Sequence, residues 1–270
     1  MNTHGIVIPD FTEFTKHDVV DSVALTLSQA FRQHSKSKGQ ALDIDRFIDW
    51  LDISTEWDCF DDENSVSCFA RIDLSTDDLI QINQNYQDLF ESRPDVYRVC
   101  VGHEAGHIVL RHVSNFANSN NPSLFEDISK DQPNFLHKNS WAQYGLSSGE
   151  VRKRQLALKA AQEKLVKNAI VSPKANQALR EMENKFEPEW MFWQAEHFAR
   201  CIAIPSDKLF SILENQPLYS GWRAIGELAG FFQVPLGTMK TRLTKLKLVE
   251  MDVDGTPIPI LGNRDTQRLL

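Results

Sequence analysis

The sequence predicts an α+β fold, and two observations carry that prediction. Apart from a hairpin near the C-terminal end, short apolar segments typical of strands lie within residues 66–82, whereas helical periodicity dominates before and after them. A few consecutive strands followed by helices favour an α+β arrangement over a doubly wound parallel sheet. The 270 residues are 41% hydrophobic and 24% charged, which excludes a collagen-like, low-complexity or wholly disordered chain.

The helices and strands follow in order from the spacing of apolar residues. Asp18 is a candidate N-cap for a first helix, and a second, short helix runs from Ile44 to Leu51. Strands are expected at Val66–Ile72 and Leu79–Ile82, and a long helix at Val96–Val113. Further helices are predicted over 150–169, from 189 to Ile204, over 222–232 and over 236–246, followed by a hairpin near the C-terminal end.

The cysteines and the apolar runs indicate a cytoplasmic protein. No apolar run approaches the roughly 20 residues that a membrane span needs, and the first residues lack a secretory signal pattern. The four cysteines are scattered and form no C-x-x-C pair, which is typical of reduced, partly buried thiols: Cys59, Cys68, Cys100 and Cys201. We therefore expect no membrane contact.

Charge is distributed unevenly along the chain, whose formal net charge is −8. Residues 1–100 carry 8 basic and 19 acidic side chains, whereas residues 150–185 carry 9 basic and 4 acidic ones. The basic segment leaves a nucleic-acid contact open, although a solvated helical face is the favoured interpretation.

Residues 103–107 read His-Glu-Ala-Gly-His, an H-E-x-x-H motif. Two histidines four residues apart on a helix lie about 40° apart around its axis, so both imidazoles can reach one ion. Glu104 lies beside that ion and can act as general base in a zinc-assisted hydrolysis. With 8 His and 16 Glu in the chain, on the order of 0.01 such matches would arise by chance. The motif therefore predicts Zn²⁺ bound by His103 and His107.

One residue within the motif, Gly106, and one after it, His112, bear on the structure around it. Gly106 costs about 1 kcal/mol inside a helix, which is tolerable where another backbone approaches closely, as at a substrate cleft. His112 lies nine residues after His103, about 180° around a continuous helix, and is expected to face away. Because a zinc site needs at least three protein ligands, a glutamate from a later helix is the expected third ligand.

Three segments of the chain resemble the ImmA/IrrE-type metallopeptidases. The first is Tyr97–His112 with the strand Ile80–Asn83 before it, and the second is Trp193–Pro205, similar to the family's helix ending F-A-x-x-L-L-x-P. The third, Leu228–Leu243, is similar to its helix-turn-helix segment. The resemblance implies a zincin-like core, a bound zinc, and limited proteolysis of a DNA-binding repressor that controls stress or mobile-element genes.

The resemblance also divides the chain. It implies a metallopeptidase core at residues 1–117 and 188–217, made of a small sheet and the active-site helix. Residues 118–187 form a helical insertion, since the family connects the two blocks in far fewer residues. Residues 218–270 form a helix-turn-helix or winged-helix-like module.

One position departs from the family's pattern. Phe192 stands where the family usually has its ligand glutamate, three residues before Ala195. Glu189 and Glu196 lie one turn to either side on the same helical stripe, about 10 Å apart, so only one of them can be a ligand. Glu196 is the preferred third ligand because its segment matches better, and Glu189 is the alternative.

The last predicted helix has an exposed polar face that could contact DNA phosphates. Its residues are Thr238, Lys240, Thr241, Arg242, Thr244, Lys245 and Lys247. An ordinary polar face opposite a core stripe of Met239, Leu243 and Leu246 is the simpler interpretation.

Three functions remain open from the sequence. The first is a zinc metallopeptidase acting on a protein substrate, a helix-turn-helix repressor. The second is a non-catalytic DNA- or protein-binding regulator built on a decayed zincin core, motivated by Phe192. The third is a hydrolase for a small molecule, because the same zinc chemistry serves amides in general.

Overall fold

The structure is a computed structural model, and it describes residues 1–12, 15–36, 41–60, 68–73, 78–112, 135–136, 189–215, 218–219 and 221–260. Within these residues it contains eight α-helices and two small sheets, which confirms the α+β class. The predicted insertion at 118–187, with its basic helix, lies outside the described residues apart from one two-residue strand.

Two helices open the chain. Helix α1 spans His17–Ser35 and α2 spans Ile44–Trp50. The predicted N-cap of α1 is wrong, because the helix starts two residues earlier than expected: Lys16 is the N-cap and Asp18 lies in the first turn. Asp43 caps α2, since its side chain accepts a hydrogen bond from the backbone N–H of Arg46.

A four-stranded sheet follows, made of β1 (Ser54–Asp58), β2 (Ala70–Asp73), β3 (Leu79–Asn83) and β4 (Phe135–Leu136) in the order β1-β3-β2-β4. β1 runs parallel to β3, with Ser54 opposite Leu79, whereas β2 is antiparallel to both of its neighbours. The sequence did not predict β1, because four of its five residues are exposed and show no apolar alternation.

The helices that position the motif come next. After a 3₁₀ turn at Gln84–Tyr86 come α3 (Gln87–Ser92) and α4 (Pro94–Val109), and Pro94 occupies the first position of α4, where its missing N–H costs nothing. Helix α5 spans Glu189–Ala203, as predicted. Helix α6, Ser206–Asn215, was not predicted.

The C-terminal segment agrees with the prediction in its elements. It contains α7 (Trp222–Phe232), α8 (Leu236–Lys245) and an antiparallel hairpin of β5 (Val249–Met251) and β6 (Pro257–Pro259). Gln233 takes a left-handed conformation at the end of α7, with φ 51°, and turns the chain into α8.

Two hydrophobic clusters form the core, and α5 belongs to both. The first cluster joins α1, α2, the sheet and α4 to α5 as far as Ile202. The second starts at Ala203 and Ile204 and continues through α6, α7 and α8 to Val249. The C-terminal segment is therefore packed on the end of the same helix that covers the motif.

All four cysteines are free thiols; Cys59 is exposed and the other three are buried. No helix among the described residues is long and apolar enough to span a membrane.

Candidate metal centre

The H-E-x-x-H motif lies in the last two turns of α4, where every residue from Val99 to Val109 is buried. The Nε2 atoms of His103 and His107 are 2.8 Å apart, and both side chains are essentially inaccessible to solvent. Two Zn–N bonds of about 2.0–2.1 Å at a tetrahedral angle would place two nitrogens about 3.3 Å apart. The pair therefore fits one shared ion after an opening of about half an ångström. Glu104 is buried beside His103 on the same helix.

A close backbone approach at Gly106 confirms the reason inferred for that glycine. A Cβ at this position would lie 3.0 Å from Ala195 O and 3.1 Å from Ala195 Cα. The approaching backbone is helix α5 rather than the rim of a cleft. The absence of a side chain at Gly106 thus lets α5 lie directly against the motif.

The prediction that His112 faces away from the motif is wrong. Helix α4 ends at Val109, and Arg111 takes a left-handed conformation with φ 58°, so the helical period no longer applies beyond it. The turn brings His112 back under the helix, where its Nδ1 is 3.0 Å from His107 Nδ1. His112 is completely buried, and burial, together with the nearby His107, lowers its pKa well below the usual range.

Gln194 completes this arrangement, and sequence reasoning missed it. Its Oε1 is 3.0 Å from His112 Nε2, and its Nε2 donates a 2.8 Å hydrogen bond to the backbone carbonyl of Thr12. The only sequence signal is a glutamine inside the Trp193–Pro205 block, and it does not by itself indicate a partner. We call His103, His107, His112 and Gln194 the histidine cluster.

The predicted third ligand remains a prediction. Glu196 is half-buried on α5, and its Oε2 is 3.0 Å from Arg200 Nη2 one turn later, so a metal would have to compete with this guanidinium. Phe192 packs its ring 5.4 Å from the His103 ring, between centroids. Glu189 is the first residue of α5, and its side chain lies outside the described part of the structure.

A second polar cluster lies where α1, α5 and α8 meet. The ligand atoms of Asp21, His197 and Cys201 all lie within 4.8 Å of one another, a composition and spacing that could hold a metal ion. Among the described residues this is the one group of three or more His, Cys, Asp or Glu that meets this distance; Glu196 does not join His103 and His107 in such a group. Arg242 from α8 enters it as well, with Nη1 2.5 Å from Asp21 Oδ1. We call these four residues the joint cluster.

Charges inside the joint cluster are already balanced by protein groups. Burial alone would raise the pKa of Asp21, but the hydrogen bond from His197 and the charge of Arg242 outweigh it and hold the pKa below its usual range. Burial raises the pKa of the Cys201 thiol, so the sulfur is protonated, and burial lowers the pKa of His197. A metal cation here would have to displace the Arg242 guanidinium.

The structure corrects the predicted phosphate-contacting face of α8. Thr238 and Arg242 are buried, each with about 1% of its surface exposed, and Arg242 Nε donates to the Ile204 carbonyl. The remaining members are half-buried or exposed: Lys240, Thr241, Thr244, Lys245 and Lys247. Arg242 therefore holds α8 to the rest of the protein instead of facing a ligand.

Comparison with known proteins gives no further information on this site. No family model matches the chain, and neither the curated proteins nor the solved structures contain a significant match.

Proposed function

We propose that this protein is a zinc-dependent peptidase whose metal centre includes His103 and His107. The observation that carries the proposal is the convergence of their Nε2 atoms, 2.8 Å apart, on a buried helix. Hydrolytic zinc sites use two imidazole nitrogens that converge on one ion, with a glutamate on the same helix as general base. Either Glu196 or Glu189 on α5 supplies the third ligand, with Glu196 preferred.

Glu104 performs the proton transfers in this proposal. Its carboxylate accepts a proton from the attacking water and passes it to the nitrogen of the leaving amine. Zinc, when bound, supplies a Lewis acid that polarises the substrate carbonyl and lowers the pKa of water. The burial of Glu104 keeps bulk water away from its carboxylate.

The substrate class comes from the resemblance to the ImmA/IrrE-type peptidases: a DNA-binding repressor of the helix-turn-helix type, cut to change transcription. The zincin-like assignment of the core and the winged-helix-like assignment of residues 218–270 belong to the same proposal. Four free thiols agree with a reducing compartment such as the cytoplasm.

One observation favours the second candidate, a non-catalytic regulator on a decayed core. Phe192 packs its ring in a tilted arrangement near the ring of His103, at the position where the resemblance expects a ligand carboxylate. Such a regulator could contact DNA through the exposed lysines at the end of α8, Lys245 and Lys247. Zinc content separates the two candidates, because a decayed site would bind none.

The test compares wild-type protein with Glu104→Gln and Glu250→Gln. Zinc per chain is measured first, and new protein N-termini are then counted in a lysate incubated with each zinc-loaded protein. We expect all three proteins to carry zinc, and Glu104→Gln to lose cleavage by about 10²–10⁴-fold, the usual contribution of a general base. Glu250 is exposed on β5, so its variant controls for the loss of one carboxylate.

Retained cleavage in Glu104→Gln would contradict the mechanism. Absence of zinc from the wild-type protein, after zinc is supplied at neutral pH, would favour the decayed core.

The third ligand is tested by zinc affinity in Glu196→Ala and Glu189→Ala. Because Arg200 holds Glu196, Arg200→Met should strengthen zinc binding if Glu196 is the ligand and leave it unchanged if Glu189 is.

A further inference from the structure

Two buried side chains outside the H-E-x-x-H motif connect the N-terminal segment to His107. Thr12 O accepts from Gln194 Nε2 at 2.8 Å, Gln194 Oε1 lies 3.0 Å from His112 Nε2, and His112 Nδ1 lies 3.0 Å from His107 Nδ1. The chain of contacts therefore runs through three elements: the segment before α1, helix α5 and the turn after α4.

The donor and acceptor types of these groups fix the direction of each hydrogen bond in this series. A backbone carbonyl can only accept, so the NH₂ of Gln194 faces Thr12 and its Oε1 faces His112. Oε1 also can only accept, so His112 carries a proton on Nε2. In a neutral imidazole the other nitrogen is an acceptor, so His112 Nδ1 accepts a hydrogen bond from the N–H of His107 Nδ1.

His107 is thereby left with its lone pair on Nε2. This is the atom that lies 2.8 Å from His103 Nε2, at the point where the two imidazoles converge. His112 is completely buried, and a doubly protonated imidazole there would carry a charge at high desolvation cost, so the neutral form applies.

We propose that Gln194 and His112 are positioning residues that hold His107 in the Nδ1–H tautomer and direct its Nε2 to the metal. A hydrogen bond on the far nitrogen commonly fixes the tautomer and ring orientation of a ligating histidine. The role toward zinc rests on the proposed function, whereas the tautomer of His107 does not depend on it.

The first experiment measures zinc affinity by competition with a chelator. Gln194→Leu and His112→Leu should each bind zinc roughly 10- to 100-fold more weakly than wild type, the usual effect of losing such a partner. His112→Asn offers Oδ1 where the imidazole offered Nδ1, so it should bind more tightly than His112→Leu.

Asn83→Leu is the matched control for a lost buried amide. The Asn83 side chain is fully buried and donates to the carbonyls of Phe60 and Cys68, away from the histidine cluster. We expect it to lose stability while its zinc affinity stays within about threefold of wild type, well under the change for a lost partner. An equal loss of zinc affinity in Asn83→Leu would show that the effect is general destabilisation and would overturn the proposal.

The second experiment reads the tautomer directly and needs neither zinc nor a variant. In ¹⁵N-labelled wild-type protein without metal, long-range ¹H–¹⁵N correlations should show His107 protonated on Nδ1 and His112 on Nε2. Protonation of His107 on Nε2 alone would overturn the proposal.

The two experiments also separate the two proposals. If Gln194→Leu and His112→Leu bind zinc as tightly as wild-type protein does, the positioning role is overturned and the proposed peptidase function is unaffected. If wild-type protein binds no zinc, the proposed peptidase function is overturned. The tautomer measurement then tests only whether His112 and Gln194 orient the His107 ring.

Discussion

Helix α5 borders two buried polar clusters that contain similar residue types but differ in how their charges are balanced. The histidine cluster holds three imidazoles and an amide, and its contacts lead from one imidazole to the next and then to the amide. The joint cluster holds a carboxylate, an imidazole and a thiol, and it also contains the guanidinium of Arg242.

The comparison teaches that ligand-type residues within reach of one another do not by themselves make a metal site. In the joint cluster the spacing is suitable, but a cation of the protein already pairs with the only carboxylate. In the histidine cluster the Nε2 atoms of His103 and His107 lie 2.8 Å apart, and Nδ1 of His107 contacts Nδ1 of His112. The histidine cluster, rather than the joint cluster, therefore has its ligand nitrogens oriented for an added cation.

Removing one imidazole from each cluster gives the largest expected difference. Wild-type protein should carry about one zinc ion per chain, and His107→Ala should carry none, because two protein ligands rarely hold zinc. His197→Ala should keep it. Metal analysis of both purified variants checks this. Loss of zinc from His197→Ala alone would move the metal centre to the joint cluster.

Breaking the ion pair of the joint cluster should cost stability rather than zinc. Arg242→Met leaves Asp21 without its guanidinium, which costs about 3–5 kcal/mol for a buried pair. We expect the lower end of this range, because the Asp21 side chain is 25% exposed. The free energy of unfolding from urea denaturation measures the loss.

The double variant Asp21→Asn/Arg242→Met is the control for that loss. It removes both charges and should be less destabilised than Arg242→Met alone. If Arg242→Met has the same free energy of unfolding as wild-type protein, Arg242 does not hold α8 in place.

Two glycines on α4 give a smaller and opposed pair of effects. Gly106→Ala should destabilise by about 1–3 kcal/mol through overpacking, because its Cβ would meet the backbone of Ala195 at 3.0 Å. A Cβ at Gly102 would meet its nearest atom, Ile202 Cδ1, at 3.4 Å, so Gly102→Ala should be neutral or gain up to about 1 kcal/mol in helix propensity. Thermal unfolding of both variants compares them; equal effects would contradict the close approach of α5.

The smallest expected effect is the pH dependence of stability that His17 contributes beside the joint cluster. Burial, with the charges of His197, Lys245 and Arg200, lowers the pKa of His17 to about 4, and Asp21 opposes this shift. Between about pH 6.5 and pH 4 the unfolded chain therefore binds more protons at His17 than the folded chain, and stability falls as the pH falls through this window. Part of the ring faces water, so the loss is small.

His17→Gln should reduce the slope of stability against pH in that window. An NMR titration of the His17 ring in wild-type protein measures the midpoint directly, and a midpoint near 6.5 would contradict the shift.

The sequence predicted α5 and α7 well, because each carries an apolar stripe with clear start and stop residues. Helix α4 was predicted to run to Val113 but ends at Val109. Helix α7 agrees with its predicted bounds and α5 ends within one residue of them. The exposed edge strand β1 escaped prediction because its side chains do not alternate between core and solvent. Strand β4 has only two residues and leaves no detectable pattern.

At the candidate site, the sequence predicted the residue types of the motif but not their surroundings. The return of His112 depends on a left-handed turn at Arg111, and neither glycine nor asparagine marks it. The burial of Arg242 depends on Asp21 from the first helix, and a charged residue on an amphipathic helix is ordinarily expected to face solvent. The error at His112 arises from a local turn that interrupts the helical period, and the error at Arg242 arises from a partner distant in the chain. Local periodicity reports neither.

The sharing of α5 between both hydrophobic clusters has a consequence for cooperativity. Residues up to Ile202 pack in the first cluster, and Ala203 and Ile204 begin the second, without a linker between them. Separating the C-terminal helices from the remainder would fray the last turn of α5, which also carries Arg200 and Cys201. The described part of the chain should consequently unfold in a single thermal transition. A local opening at the C-terminal end of α5 should also loosen the face of α5 that covers the motif.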